Sequence, residues 1–146
     1  MIGFLQRVSR AQVDIEDVTV SAIGPGLLVL VGVLREDTPA DVERLLERLL
    51  SYRVFPDNQG RMNLCLRDTR GGLLLAPEFT LAADTRSGNR PSFTPAAEPA
   101  QAQVLFEQLL DRARAAHGEV ASGRFGADMQ ITLINDGPVS FWLSTR

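Results

Sequence analysis

Two stretches of this 146-residue chain carry groups that could do chemistry. The first is E-F-T-L-A-A-D-T-R-S-G-N-R-P-S-F, Glu78 to Phe93, where an apolar run passes into a polar segment with hydroxyls, Arg86, Arg90 and Phe93. Loops on a rigid scaffold often hold binding and catalytic groups, so composition leaves this segment as either a solvated loop or a site. The second is N-D-G-P-V-S, Asn135 to Ser140. Gly137-Pro138 removes a backbone donor and loosens the residue before it, which reads as a hairpin turn. A cis X-Pro bond has a base rate of only about 5–6%.

Most other chemistries lack their residues. His117 is the single histidine and falls at the end of a predicted helix, where a cation suits the helix dipole. One histidine and one cysteine far apart make no metal cluster of usual spacing, so no metal is expected. No Walker loop or G-x-G-x-x-G occurs, and no cofactor is expected. Nothing near His117 resembles the nucleophile elbow that a Ser-His-Asp triad would use. Cys65, within N-L-C-L, reads as a small buried hydrophobe. Carboxylates distant in sequence could still meet in space.

Hydrophobic residues make up 45% and charged residues 23%, which fits one globular domain over residues 1–146. The net charge of −3 argues against a surface that clamps polyphosphate everywhere, so a nucleic-acid partner would be gripped at a few points. Arg7, Arg10, Asp14, Glu16 and Asp17 interrupt every early apolar run, and no apolar stretch is long enough to span a bilayer. With a single cysteine and no internal disulfide, the expectation is a cytoplasmic protein with no membrane partner.

These candidate residues need a frame. Alternation over Met1 to Glu16 predicts two short strands with a bend near Ser9-Arg10, and Val18 to Ile23 continues the pattern. Gly24-Pro25-Gly26 marks a turn before the buried strand L-L-V-L-V-G-V-L. Thr38-Pro39 opens a helix whose apolar stripe is Val42, Leu45, Leu46, Leu49 and Leu50. Met62 to Leu66 and Leu73 to Ala83 read as strands. A second helix runs from about Pro99 to Ala116, with Val104, Leu105, Leu109 and Ala113 inward and Gly118 as its stop. Two last strands, Met129 to Ile134 and Val139 to Leu143, flank the Gly-Pro. The sum is α+β: a mostly antiparallel sheet with two helices packed on it.

Together the blocks resemble the D-aminoacyl-tRNA deacylases nearly end to end. They are Q-R-V-S-R-A (Gln6 to Ala11), I-G-P-G-L-L-V-L-V-G-V (Ile23 to Val33), M-N-L (Met62 to Leu64), F-T-L-A-A-D-T-R (Phe79 to Arg86), R-P-S-F (Arg90 to Phe93), G-R-F-G-A-D-M-Q (Gly123 to Gln130) and N-D-G-P-V-S. Ungapped blocks in this order are specific where no single one is. The resemblance implies a barrel-like core and a homodimer. It also implies hydrolysis of the ester joining a D-amino acid to the 3′-terminal adenosine of tRNA, with glycyl-tRNA, including glycine mischarged on tRNA(Ala), as a further substrate. Aminoacyl-tRNA would be the partner, and DNA would not. Gly137-Pro138 would be a cis dipeptide reaching into the partner subunit's pocket to reject L-amino acids by sterics.

The resemblance also assigns roles, as expectations. The family's S-Q-F-T-L reads Pro77-Glu78-Phe79-Thr80-Leu81 here. Phe79 and Thr80 match and would be the catalytic pair, through main-chain contacts to an oxyanion and the ribose. Without a neighbouring general base a threonine hydroxyl is a poor nucleophile, so Thr80 positions rather than attacks, and the substrate's own 2′-OH assists. Pro77 and Glu78 depart from the family pattern. Pro77 supplies neither the hydroxyl nor the amide donor of the usual serine, and Glu78 brings a charge that needs pairing or must point away. Proline at this position also occurs in a related animal deacylase of relaxed chiral selection, which lacks the phenylalanine retained here. Arg7 would brace the Gly-Pro loop, Ser140 would replace a threonine with its hydroxyl kept, and Arg86 and Arg90 would meet phosphates near the acceptor end. The altered Pro77-Glu78 leaves a noncatalytic module that binds charged tRNA as the alternative.

Overall fold

Alternating residues from Ile2 onward form one long strand in the computed structural model, which describes residues 1–146. This strand, β1 (Ile2–Ile15), turns through Glu16-Asp17, both in the left-handed region, into β2 (Val18–Ile23). Then follow β3 (Gly26–Gly32), α1 (Pro39–Ser51), β4 (Phe55–Pro56), β5 (Met62–Leu64), α2 (Leu66–Thr69) and β6 (Gly72–Pro77). A 3₁₀ turn (Phe79–Ala82), α3 (Pro99–Ala116), β7 (Val120–Ser122) and β8 (Gln130–Ser144) complete the chain.

β1 is paired on both edges, always antiparallel. On one edge it takes β3 along Ile2–Val8 and then β2 along Ala11–Ile15; on the other it takes β8 over nearly its whole length. The bend expected near Ser9-Arg10 is a bulge inside a continuous strand: β8 steps from Asn135 to Ile134 while β1 steps from Val8 to Arg10. The other half of the sheet is parallel, β3 with β6 and β6 with β7. Sequence periodicity did not show this, because parallel partners lie far apart along the chain. Their crossovers supply the helices α1 and α3.

The parallel strands bury both faces, which accounts for their unbroken apolar runs. Leu27, Val29, Val31, Leu73 and Leu75 face a core shared with α1 and α3. Their neighbours Leu28, Leu74 and Ala76 join Val8, Ala11, Val13 and Ile23 in a second cluster, closed over by Ile131 and Leu133 of β8. The sheet thus curls almost into a barrel, with the helices packed outside it. Gly26 and Gly72 meet where β3 and β6 begin; a Cβ on Gly26 would lie 1.9 Å from the Gly72 carbonyl oxygen.

Several expectations need correction. Val104 is 53% exposed, because the inward stripe of α3 is Ala102, Leu105, Phe106, Leu109 and Ala113. Cys65 is half-buried at the head of α2, its amide donating to Asp68, rather than a core residue. Thr38 heads α1 by donating its amide and hydroxyl to Asp41 Oδ2, at 2.9 Å each. The run from Leu73 to Ala83 is not one strand: it ends at Pro77 and coils into the 3₁₀ turn. The last two strands are a single β8, interrupted only locally at Gly137-Pro138.

The chain ends are tied together. The Met1 ammonium, fully buried, donates to Asp37 Oδ1 and Thr145 Oγ1 at 2.6 Å each, and Asp37 Oδ2 accepts the Leu34 amide. Burial pulls the neighbouring Asp41 carboxyl up, but hydrogen bonds from Thr145 and Thr38 outweigh it and hold the group down at about 2. A depressed carboxylate contributes stability that is complete above its unfolded value of about 3.9 and is lost as pH falls toward 2. Asp41→Asn is therefore expected to flatten the acid-unfolding curve between about pH 4 and 2, read by circular dichroism. Leu75→Ala, at a fully buried position in the core shared with α1 and α3, is expected to cost about 2–5 kcal/mol in denaturant unfolding.

Candidate active site

Three segments converge beside the carboxyl end of β3. β6 delivers Pro77 opposite Val31, and the Glu78 amide donates to the Val31 carbonyl at 2.8 Å. There the ladder stops and the chain coils into the 3₁₀ turn. Gly32 makes room for this coil: a Cβ on it would meet Leu81 Cβ at 3.0 Å and the Glu78 carbonyl at 3.4 Å. The first amides of a helical turn have no partner inside it. Glu78 supplies one, its Oε1 accepting the Thr80 amide at 3.0 Å and the Thr80 hydroxyl at 2.6 Å.

The turn forms one wall of a cavity of about 330 Å³. β3 contributes Val31, the residue just past its end contributes Val33, α3 contributes Ala102 and Phe106, and the segment after β7 contributes Phe125 and Met129. The volume lies at the low end for sites that enclose a small molecule. Pro77, Glu78 and Phe79 line it, and Glu78 is its one charged residue. Phe79 is 61% exposed and tilts against Phe93, with ring centroids 5.0 Å apart. Phe93 is carried there by a loop closed by a two-way backbone bridge between Asp84 and Ser92.

Arg86 and Arg90 sit on that loop but differ. Arg86 holds Asp84 with its side chain, Nε to Oδ1 at 2.9 Å and Nη2 to Oδ2 at 2.6 Å. Those hydrogen bonds keep the Asp84 carboxyl at about 2, so the pair is formed at any physiological pH. Arg90 is exposed and makes no ion pair within 4.0 Å. His117 is far from this wall in its contacts, its Nε2 donating to the Gly71 carbonyl at 2.6 Å beyond the end of α3.

Gly137-Pro138 lies apart from the cavity. Its peptide is cis, and both residues are exposed. The ladder with β1 explains the protrusion. Between the pairs Gln6↔Ser140 and Val8↔Asn135, β1 has one residue, Arg7, and β8 has four, Asp136 to Val139. The excess is expelled as a loop. Asn135 closes its base, Oδ1 accepting the Val139 amide at 2.7 Å and Nδ2 donating to the Val139 carbonyl at 3.1 Å. Nδ2 also reaches Gln6 Oε1 and Ser140 Oγ. Arg7 fills the gap from β1: Nε donates to the Asp136 carbonyl at 2.9 Å and Nη1 to the Val54 carbonyl at 2.6 Å. Val139 is buried and anchors the loop in the core.

Sequence reasoning singled out Arg7, Gly137 and Pro138 but missed Asn135 and Val54. Asn135 lay in plain view within N-D-G-P-V-S, four residues before the amide it clamps. Val54 carried no signal, since only its carbonyl matters. Within one chain, Pro77, Glu78, Phe79 and Thr80 come together, and Arg7, Gly137 and Pro138 come together, as two separate groups.

Asn135→Ala removes the acceptor for the Val139 amide, and Arg7→Lys cannot fork between two carbonyls. Each is expected to speed hydrogen exchange at Gly137 and Val139 by roughly tenfold, with α1 and α3 amides unchanged. Unaltered exchange in both variants would show the loop held by other contacts.

The family model described as D-Tyr-tRNA(Tyr) deacylase matches residues 4–144. The chain is 61% identical over 143 residues to the D-aminoacyl-tRNA deacylase of Thioalkalivibrio sulfidiphilus (strain HL-EbGR7), covering 98% of this chain and 96% of that one. It is 59% identical over 145 residues to the D-aminoacyl-tRNA deacylase of Pseudomonas fluorescens (strain Pf0-1), covering 99% and 100%. Among solved structures, a c-Myc DNA Unwinding Element Binding Protein superposes with a TM-score of 0.96 at 34% identity, over 100% of this chain and 99% of that one. A probable eukaryotic D-amino acid tRNA deacylase superposes at 0.84 with 16% identity, over 97% of each, which shows a shared fold. With its family model matched almost end to end and its relatives equal to it in span, the chain belongs to the D-Tyr-tRNA(Tyr) deacylase family, a family of enzymes.

Proposed function

We propose that this protein hydrolyses the ester of D-aminoacyl-tRNA, releasing the D-amino acid and free tRNA. The observation that carries the reading is the apolar cavity of about 330 Å³ walled by the Glu78–Thr80 turn, in a chain with this family membership. An aminoacyl adenosine end offers an apolar base and an ester, and the exposed Phe79–Phe93 pair gives a base a stacking face. The ester carbonyl lies at the turn. The Phe79 amide stabilises the developing oxyanion while Thr80 positions the ribose. Water adds to the carbonyl carbon, and its proton passes to the departing 3′-oxygen with help from the neighbouring 2′-OH. Arg90, free of a carboxylate partner, is the better phosphate ligand of the two loop arginines; Arg86 would first have to leave Asp84.

Chiral selection belongs to the Gly137-Pro138 loop in this reading. The loop does not reach its own chain's cavity, so a second copy supplies it, and the functional unit is a homodimer. Arg7 and Asn135 hold the loop's backbone in place, and a fixed main chain excludes an L side chain by contact. Glycine has no side chain to exclude, so glycyl-tRNA is a substrate too. One observation favours a second reading, a module that binds charged tRNA without cleaving it: Glu78 already occupies the Thr80 amide and hydroxyl.

Incubation with D-Tyr-tRNA and L-Tyr-tRNA is expected to release D-tyrosine at least about a hundredfold faster, and a terminal 2′-deoxyadenosine should slow that release sharply. Equal loss of both esters, or of neither, overturns the reading; tight binding of D-Tyr-tRNA without turnover establishes the second. Gly137→Ala tests the loop. A Cβ there would lie 2.6 Å from Val139 Cγ2, so the loop must shift, and the D-over-L ratio is expected to fall by roughly tenfold or more while dimer mass is retained. Excess single-stranded DNA, added because a close structural neighbour is a DNA-element-binding protein, is expected to leave the rate unchanged.

A further inference from the structure

We propose that Glu78 is the counter-charge for the substrate's α-ammonium, and so selects esters of α-amino acids over uncharged esters of the same size. The proposal rests on the deacylase reading above. Glu78 is the one charged residue among the 13 that line the cavity. It is half-buried. Its Oε1 is engaged by Thr80, while Oε2 accepts no hydrogen bond, and no arginine or other cation of the chain lies within 4.0 Å of the carboxylate. Asp37, Asp84 and Glu47, by contrast, each hold a cation at ion-pair distance.

A half-buried anion in an apolar wall is costly unless a cation meets it. Of the groups at the end of an aminoacyl-tRNA, the phosphates are anionic, and the base and ribose are neutral. The α-ammonium is the remaining cation. Geometry places it well: the α-nitrogen lies about 2.5 Å from the ester carbonyl carbon, two bonds away. A carbonyl held at the Phe79 amide, next along the chain from Glu78, therefore brings the ammonium to the carboxylate whose other oxygen already holds Thr80. The Glu78 charge is thus a positioning and specificity element. Thr80 fixes the carboxylate, and the carboxylate orients the α-carbon for the group that reads its hand. A glutamine in this place could still accept from Thr80 but would offer no charge.

The test pairs one substitution with one atom change in the substrate. D-Tyr-tRNA is compared with its D-hydroxy-acid counterpart, in which the α-ammonium is replaced by a hydroxyl of similar size, using the wild type and Glu78→Gln. The wild type is expected to favour the amino ester by about ten- to a hundredfold in kcat/KM, carried mainly by KM. Glu78→Gln should reduce that preference to about twofold or less, the amino ester losing at least about fivefold more in kcat/KM than the hydroxy ester. A preference that survives the substitution intact overturns the proposal, since the ammonium is then read elsewhere. Equal losses on both esters would also overturn it, by reducing Glu78 to a prop for Thr80. Loss of D-over-L discrimination in the wild type would instead count against the deacylase reading. Binding of an uncleavable 3′-amide of D-tyrosine to 3′-amino-3′-deoxyadenosine, with and without the α-amine, gives the same comparison without turnover. Unchanged melting temperature of Glu78→Gln keeps folding out of both readouts.

Discussion

The structure depends on a strand that is hydrogen-bonded along both edges. β1 gives one edge to β3 and β2 in turn and the other to β8, so nearly every backbone group it carries is satisfied within the sheet. A ladder so fully used cannot absorb extra residues quietly. Where β8 carries four residues against Arg7 alone, the surplus must leave the plane, and the only direction open is outward. The protruding Gly137-Pro138 loop is the consequence of that count, held by the same neighbours that the ladder would otherwise have paired.

The second group arises from a ladder that stops. β6 runs parallel to β3 until Pro77, after which Glu78 makes a last bond to Val31 and the chain coils. Ending a strand frees amides. Glu78 accepts one of them and a hydroxyl, which fixes the carboxylate at the cavity wall rather than leaving it to solvent. Glutamate rather than glutamine at this position therefore changes charge without changing the local hydrogen-bond geometry that an acceptor oxygen supplies. The two groups are distinct products of one sheet: one where a strand has too many residues, the other where a strand runs out of partners.

The acidic net charge fits this arrangement. Arg86 is paired with Asp84, Arg67 with Glu47 and Arg112 with Glu43, so these cations are neutralised locally. On the proposed deacylase reading, a tRNA would be held by its end at the cavity, with Arg90 among the cations left free to meet its phosphates.

Helix positions were legible in the sequence because they depend on local signals. Thr38-Pro39 and Pro99 open α1 and α3, and the 3.6-residue stripe marks α1's buried face without error. The stripe of α3 was misread at Val104, where apolar character alone does not fix direction. Motif blocks carried the family. What only the tertiary structure decided are the relations between distant segments: the parallel half of the sheet, the joining of the last two strands into β8, the end of β6 at Pro77, and the Asn135 and Val54 contacts around the loop. Residue types settle which face is buried and where a helix starts, since those are questions of neighbours along the chain. Register, excess residues and the pairing of a carboxylate with one particular amide are settled by partners more distant in sequence, and no local pattern encodes them.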